Sequence, residues 1–386
     1  MRIKMVSCWF ATSFGEYTNG LRHALERQFG SEVGVITSNC GCGDPVEINR
    51  MFQDRRCEFL EFPHITYFKS ANPVKYWIRT EARKLLYQER ARRYLRHTGD
   101  ADVLHFQQTL NAFGSTAAFG WLRLPARAAR VITIHELDPE QRDFPGTNRM
   151  YNRADRIIVH TSDMHKELVD LGVDSEIIDL MSYGIDIGPR PKGPKQGIIF
   201  YGGHTLWRGK GVDTLFQAMA LVKERLRENT PELVIHGHYG DVVPEYGLRL
   251  AAETGIGGIV KWHNQIGNQA TAEAYGKALL CVLPYTGSFA GLPAVNAMTY
   301  ETAVIATRRA GLPDHLGDAA VWIPEKDPQS LAEAILRLLS DDSARRELAA
   351  RGRARAESLF GWDTIAVKTM ASYRAALVHK TAGTSR

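Results

Sequence analysis

Gly197-Ile-Ile-Phe-Tyr-Gly-Gly-His-Thr-Leu-Trp-Arg-Gly-Lys-Gly211 is the stretch on which the fold turns. Its opening residues form an apolar run of the kind carried by a parallel strand buried on both faces. A glycine-rich loop follows. Beyond it, Val212, Leu215, Phe216, Met219 and Val222 recur at helical spacing along one face. A strand that passes through glycines into a helix is the repeating unit of an open α/β sheet. Such turns hold ligands at the carboxyl ends of strands, where helix N-termini present free N–H groups.

The same alternation extends in both directions. Upstream, apolar runs at Ile3–Cys8, Val33–Thr37, Cys57–Phe62, Asp102–Phe106, Val131–His135, Arg156–His160 and Glu176–Met181 predict strands. Downstream, Glu232–Gly237, Gly258–Trp262, Leu279–Pro284, Ala303–Thr307 and Ala320–Ile323 do the same. Asp327-Pro328 reads as an N-cap followed by proline at the first helical position. Two doubly wound α/β domains are expected. The Pro/Gly-rich segment Gly188–Pro194 separates a domain at 1–187 from one at 195–360. The segment 361–378 carries Trp362, Ile365, Ala366, Thr369, Tyr373 and Leu377 at helical spacing, and is expected to cross back onto the first domain.

Composition narrows the class. With 386 residues, 44% hydrophobic and 24% charged, the chain is long enough for two cores, and disorder or a coiled-coil rod is excluded. Five cysteines, Cys8, Cys40, Cys42, Cys57 and Cys281, form no disulfide framework, and no zinc-ligand spacing accompanies them. No metal site is expected. The first residues read as a strand rather than a signal peptide, so a cytoplasmic location is expected.

Two turns carry the candidate chemistry. In the first, glycines let the backbone approach a phosphate closely, while Arg208 and Lys210 could neutralise it; a flexible loop with solvated charges is the plain alternative. In the second, Ser288-Phe-Ala-Gly-Leu-Pro293 runs into a small-residue helix, and N–H groups near Ala290, Gly291 and Leu292 would face an anion.

These blocks carry a resemblance. Lys210-Gly-Val-Asp-Thr-Leu215, Leu233-Val-Ile-His-Gly237, Gly291-Leu-Pro-Ala-Val-Asn-Ala-Met298 and Thr307-Arg-Arg-Ala-Gly-Leu-Pro-Asp314 resemble, in order and spacing, the retaining glycosyltransferases of family four. The likeness is close over about 197–378 and looser through Asp102–His105, Val131–His135, Thr161-Ser162 and Tyr183–Asp186. It implies a GT-B fold, two Rossmann-like doubly wound domains facing a central cleft. It also implies transfer of a sugar from a nucleotide-diphospho-sugar, with retention and without a metal or other cofactor. A UDP-sugar is the expected donor. The acceptor, a saccharide, a lipid-linked group or a small molecule, is left open.

By the same resemblance, Lys210 and Arg208 grip the diphosphate, with His204 a rival for the arginine role, and His135 stands beside the transferred sugar. A structural histidine is the alternative for His135. Gly15, in a loop after the first strand, would bring backbone to the diphosphate. Gly203, Gly237, Ser288, Phe289, Ala290, Gly291, Leu292 and Asn296 would complete the donor site. Two positions depart from the pattern: Ser288 and Asn296 stand where the family has glutamates. Asn296 can still bind ribose hydroxyls through its amide oxygen, whereas Ser288 is shorter and uncharged. A different donor sugar or a catalytically impaired binding or scaffold protein would follow. Glu301, expected on the same helix, lies too far round it to substitute.

The net charge of +5 is unevenly spread. Residues 75–96 hold eight basic and two acidic residues among Tyr76, Trp77, Ile78, Leu85, Leu86, Tyr94 and Leu95, which leaves about −1 elsewhere. This predicted helix suits peripheral contact with an anionic membrane or a polyanionic acceptor, or it is a solvated surface helix. Nucleic acid is not expected, because no binding module accompanies it.

Overall fold

The computed structural model describes residues 1–7, 13–38, 57–60, 100–107, 127–135, 137, 146–203, 208–237, 245–264, 268–287, 291–309 and 311–383. His204, Ser288, Phe289, Ala290 and the basic stretch 75–96 lie outside them.

The chain divides into two compact units: Met1–Ile185 with Trp362–Arg386, and Asp186–Gly361. The first contains a seven-stranded parallel sheet. Its strands are β1 (Arg2–Ser7), β2 (Glu32–Ser38), β3 (Cys57–Leu60), β4 (Val103–Gln107), β5 (Ala129–Ile134), β6 (Arg156–Val159) and β7 (Ile178–Leu180). Their spatial order is β3-β2-β1-β4-β5-β6-β7. The second unit contains β8 (Ile198–Gly203), β9 (Leu233–Gly237), β10 (Val260–Asn264), β11 (Leu280–Leu283), β12 (Ala303–Thr307) and β13 (Ala320–Ile323). All six are parallel, in the order β10-β9-β8-β11-β12-β13. Each apolar run named from sequence contains a strand, and among the described residues the ends agree to within two residues, with Ala303–Thr307 and Ala320–Ile323 matched in full. Strand β8 runs past Tyr201 to Gly203 because Gly203 pairs with Gly237 across a bulge.

Alternation of side chains puts neighbouring strand residues into different cores. In β5, Val131 joins a core with Ile3, Met5, Tyr17, Leu21, Ile365 and Tyr373, whereas Ile132 and Ile134 join one with Leu104, Phe106, Ile157 and Leu168. The helices Ser13–Phe29 and Trp362–Gly383 therefore cover one face of the first sheet. Trp362 explains two glycines there. A Cβ on Gly20 or on Gly184 would come within 2.1 Å of its ring.

In the second unit, Val212, Leu215, Phe216, Met219 and Val222 are fully buried on the helix Val212–Leu226. The Asp327 carboxylate caps the helix Pro328–Ser340 by accepting from the Ser330 N–H at 2.9 Å. Among the described residues, no helix is long and apolar enough to cross a membrane.

Candidate functional site

Neighbouring strands whose connections leave in opposite directions open a crevice at their carboxyl ends. In the second sheet these strands are β8 and β11, and both turns singled out from sequence leave from them. At the end of β8, Gly203 lies in register with Gly237, so these two candidate glycines stand side by side. Arg208 and Lys210 bound a single 3₁₀ turn that leads into the helix Val212–Leu226.

That turn is stitched to the connection leaving β11. The Gly209 carbonyl accepts the N–H groups of Thr286 and Gly287, each at 2.8 Å. Gly211 has φ +71°, and a Cβ there would sit 1.8 Å from the Pro284 carbonyl oxygen. Only glycine permits this approach. Lys210 is 8% exposed, and burial pulls its ammonium down from 10.5 to about 8. An anion bound beside it would favour the charged form.

The connection from β11 continues to Gly291, the left-handed N-cap of the helix Leu292–Thr299, with φ +76°. A Cβ there would lie 2.5 Å from the His315 ring. Leu292 opens this helix and Asn296 is half-buried on it. Glu301 corrects the sequence reading. The helix stops at Thr299 because β12 begins at Ala303, and Glu301 sits beyond it in the left-handed region at φ +52°. Its carboxylate pairs with Arg190.

In the first sheet the corresponding strands are β1 and β4. Gln107 ends β4, in register with Ser7 on one side and Thr133 on the other. His135 follows β5 directly and is 2% exposed. His135 Nε2 lies 3.1 Å from the Gln107 side-chain oxygen, and its Nδ1 lies 3.1 Å from His160 Nε2. His105 Nδ1 and Nε2 lie 2.7 Å from the hydroxyls of Tyr373 and Thr133. Burial first, then His160 and His105, hold His135 well below the ordinary imidazole range. Burial raises the Tyr17 and Tyr183 phenols.

Gly15 is also placed differently from the sequence expectation. It is a buried residue in the first turn of the helix Ser13–Phe29, not part of a loop. Tyr17, two residues on, connects that turn to the histidines, with ring centroids 4.9 Å from His135 and 5.5 Å from His160. The structure thus gathers Gly15 and His135 around Tyr17 in one unit. In the other it gathers Gly203, Gly237, Lys210 and the approach to Gly291. Gln107, His160 and Tyr17 were not singled out from sequence. For Gln107 and His160 the available signal was a polar residue ending an apolar strand, whereas Tyr17 lies within the helix Ser13–Phe29. Among the described residues, no group of three or more His, Cys, Asp or Glu is placed to hold a metal ion.

Residues 15–189 match the family model described as Glycosyltransferase Family 4, and residues 195–341 the one described as Glycosyl transferases group 1. The chain belongs to these family four, group 1 glycosyltransferases. The D-inositol 3-phosphate glycosyltransferase of Streptomyces griseus is 28% identical over 287 residues, 66% of this chain and 58% of that protein. The chain therefore matches under two thirds of that relative's length.

Sucrose-phosphate synthase from Thermosynechococcus elongatus superimposes with a TM-score of 0.73 at 22% identity, covering 97% of this chain and 98% of its own. Anabaena HepE, solved in complex with UDP-glucose, gives 0.68 at 15% identity, covering 96% and 100%. These likenesses establish the fold, which is GT-B.

Proposed function

We propose that the protein transfers a sugar from a nucleotide-diphospho-sugar to an acceptor, with retention at the anomeric carbon. The observation that carries this reading is Lys210: a buried ammonium on a glycine-bounded turn, at the crevice between β8 and β11. Glycosyl transfer releases a nucleoside diphosphate, so the site must stabilise negative charge growing on the leaving group. Lys210, Arg208 and the backbone around Gly291 are assigned that task, without a metal. Gly203 and Gly237 let the nucleotide approach, and Asn296 binds ribose hydroxyls. By the family resemblance, His135 of the first unit is assigned to the transferred sugar and Gly15 to the diphosphate. The leaving phosphate takes the acceptor proton in a front-face displacement, so no protein nucleophile is assigned.

A UDP-sugar is the donor this reading favours, supported by the UDP-glucose held by Anabaena HepE. The name of the Streptomyces griseus relative makes a phosphorylated cyclitol a reasonable first acceptor to try. A second reading, a nucleotide-sugar-binding protein that does not turn over, is favoured by Ser288 and Asn296 in place of the family's glutamates.

One panel decides between them. The protein is incubated with UDP-, GDP- and ADP-sugars, with and without acceptors including D-inositol 3-phosphate, and nucleoside diphosphate release is followed. Acceptor-dependent release with an α-linked product from an α-linked donor supports transfer with retention. Tight binding with no release in any combination supports the binding protein. Release with water alone overturns both.

A further inference from the structure

A hydrogen-bonded chain in the first unit can be read by counting its protons. His160 Nδ1 lies 3.1 Å from the Met181 carbonyl oxygen, and His160 Nε2 lies 3.1 Å from His135 Nδ1. At the far end, His135 Nε2 meets the Gln107 amide. A carbonyl oxygen only accepts, so His160 Nδ1 carries a hydrogen. With His160 neutral, its Nε2 is a lone pair, and the hydrogen between the rings belongs to His135 Nδ1. His135 Nε2 is then bare and needs a donor. Gln107 supplies one by turning its amide so that nitrogen, rather than oxygen, faces His135.

The opposite count keeps the Gln107 oxygen toward His135. It needs three N–H groups on two rings, so one ring must be an imidazolium. The surroundings oppose that charge. His135 and His160 are 2% and 3% exposed, and the rings of Tyr17 and Tyr183 pack against both. Gln107 also gains little by aiming its nitrogen at His105. That nitrogen sits 3.4 and 3.3 Å from ring nitrogens already held at 2.7 Å by Tyr373 and Thr133.

We propose that His160 is a positioning residue that fixes His135 as the neutral Nδ1–H tautomer, with Gln107 closing the chain at Nε2. The inference rests on the reading that His135 stands beside the transferred sugar. A neutral imidazole suits that place, because positive charge grows on the anomeric carbon as the phosphate leaves, and an imidazolium would oppose it. Orientation of a working histidine by the bond on its other nitrogen is a general device.

The test is long-range ¹H–¹⁵N correlation on the full chain labelled at histidine, near pH 7, alongside donor turnover. The expected wild-type signature is a protonated Nδ1 and bare Nε2 on His135, and a protonated Nδ1 on His160. His160→Gln keeps an acceptor oxygen near the Nε2 position and should preserve the His135 signature. His160→Leu removes it and should release His135 to the other tautomer. kcat should then fall by about tenfold, the factor that one buried hydrogen bond carries, with donor KM little changed. Should the leucine variant not fold, His160→Asn keeps a donor for Met181 and leaves the His135 side empty. An imidazolium or an Nε2–H tautomer at His135 in the wild type overturns the proposal, as do unchanged His135 signals in either disruptive variant. If the tautomer moves as expected while turnover is untouched, the positioning stands and the placement of His135 beside the sugar falls.

Discussion

Replacing Lys210 with methionine should make the free protein more stable and its nucleotide binding weaker. Methionine keeps the length of the stem and removes the charge. The descent of the Lys210 ammonium from 10.5 to about 8 corresponds to ~3 kcal/mol against the charged form in the folded chain. The sign follows from linkage. Between pH 8 and 10.5 the unfolded chain binds more protons at this residue, so its contribution to stability rises with pH there. At pH 7 the full penalty is present. Removing the ammonium should recover about 1–3 kcal/mol, the remainder being offset by the contacts that Lys210 gives up. Donor binding should move the other way. Loss of a charge-assisted hydrogen bond to phosphate costs about 1.5–3 kcal/mol, a tenfold to hundredfold rise in Kd for UDP. A bound diphosphate also restores the ammonium to its ordinary range, so wild-type affinity should fall about tenfold per pH unit above pH 8. That slope should vanish in Lys210→Met. Urea denaturation and titration calorimetry across pH 7–9.5 read both effects. A variant that is less stable and binds UDP as the wild type does would refute the assignment and make Lys210 a structural residue.

The stitched turn gives a second expectation: Gly211→Ala forces a Cβ onto the Pro284 carbonyl at φ +71°. It should cost about 2–4 kcal/mol in denaturation and weaken UDP binding together with stability. Gly184→Ala should destabilise through Trp362, and Trp362→Ala should remove most of the additional penalty in a double-mutant cycle. Acid should unfold the chain through its buried histidines. Burial, and then His263, lower His236 from 6.5 to about 4, and burial lowers His105 to about 3. Their contribution is complete above pH 6.5 and declines as pH falls toward those values. Denaturation midpoints measured from pH 7 down to pH 4 should therefore drop, and His236→Gln should flatten the curve.

The strands were legible because a parallel strand covered on both faces has to be apolar throughout, and few other segments of this chain are. The helix Val212–Leu226 and the cap at Asp327 were legible for comparable local reasons. What sequence could not show was the meeting of distant segments. Gly209 and Thr286 are 77 positions apart, and their hydrogen bond depends on β8 and β11 being neighbours in a sheet whose order departs from chain order. Glu301 was misplaced for a related reason. The helical pattern around Asn296 carries no stop signal of its own. The backbone turns there so that β12 can enter the sheet beside β11.

The histidine chain extends this point to chemistry. His105, Gln107, His135 and His160 belong to three successive strands or the residue after them, and none forms a motif with its own neighbours in sequence. Gln107, His135 and His160 are each polar at the carboxyl end of a run that is otherwise apolar, and His105 lies two residues before Gln107 within β4. Parallel alignment of β4, β5 and β6 then places those ends in one row. Burial raises the cost of leaving any of them unpaired, so the row must bond to itself. Once it does, a single fixed acceptor, the Met181 carbonyl, determines in turn which nitrogen of His160 and of His135 holds a hydrogen. The residue that family resemblance marks for the sugar is therefore set by a carbonyl two rings away. That dependence is why His160→Gln and His160→Leu, identical in what they remove from the local sequence pattern, should differ in what they do to His135.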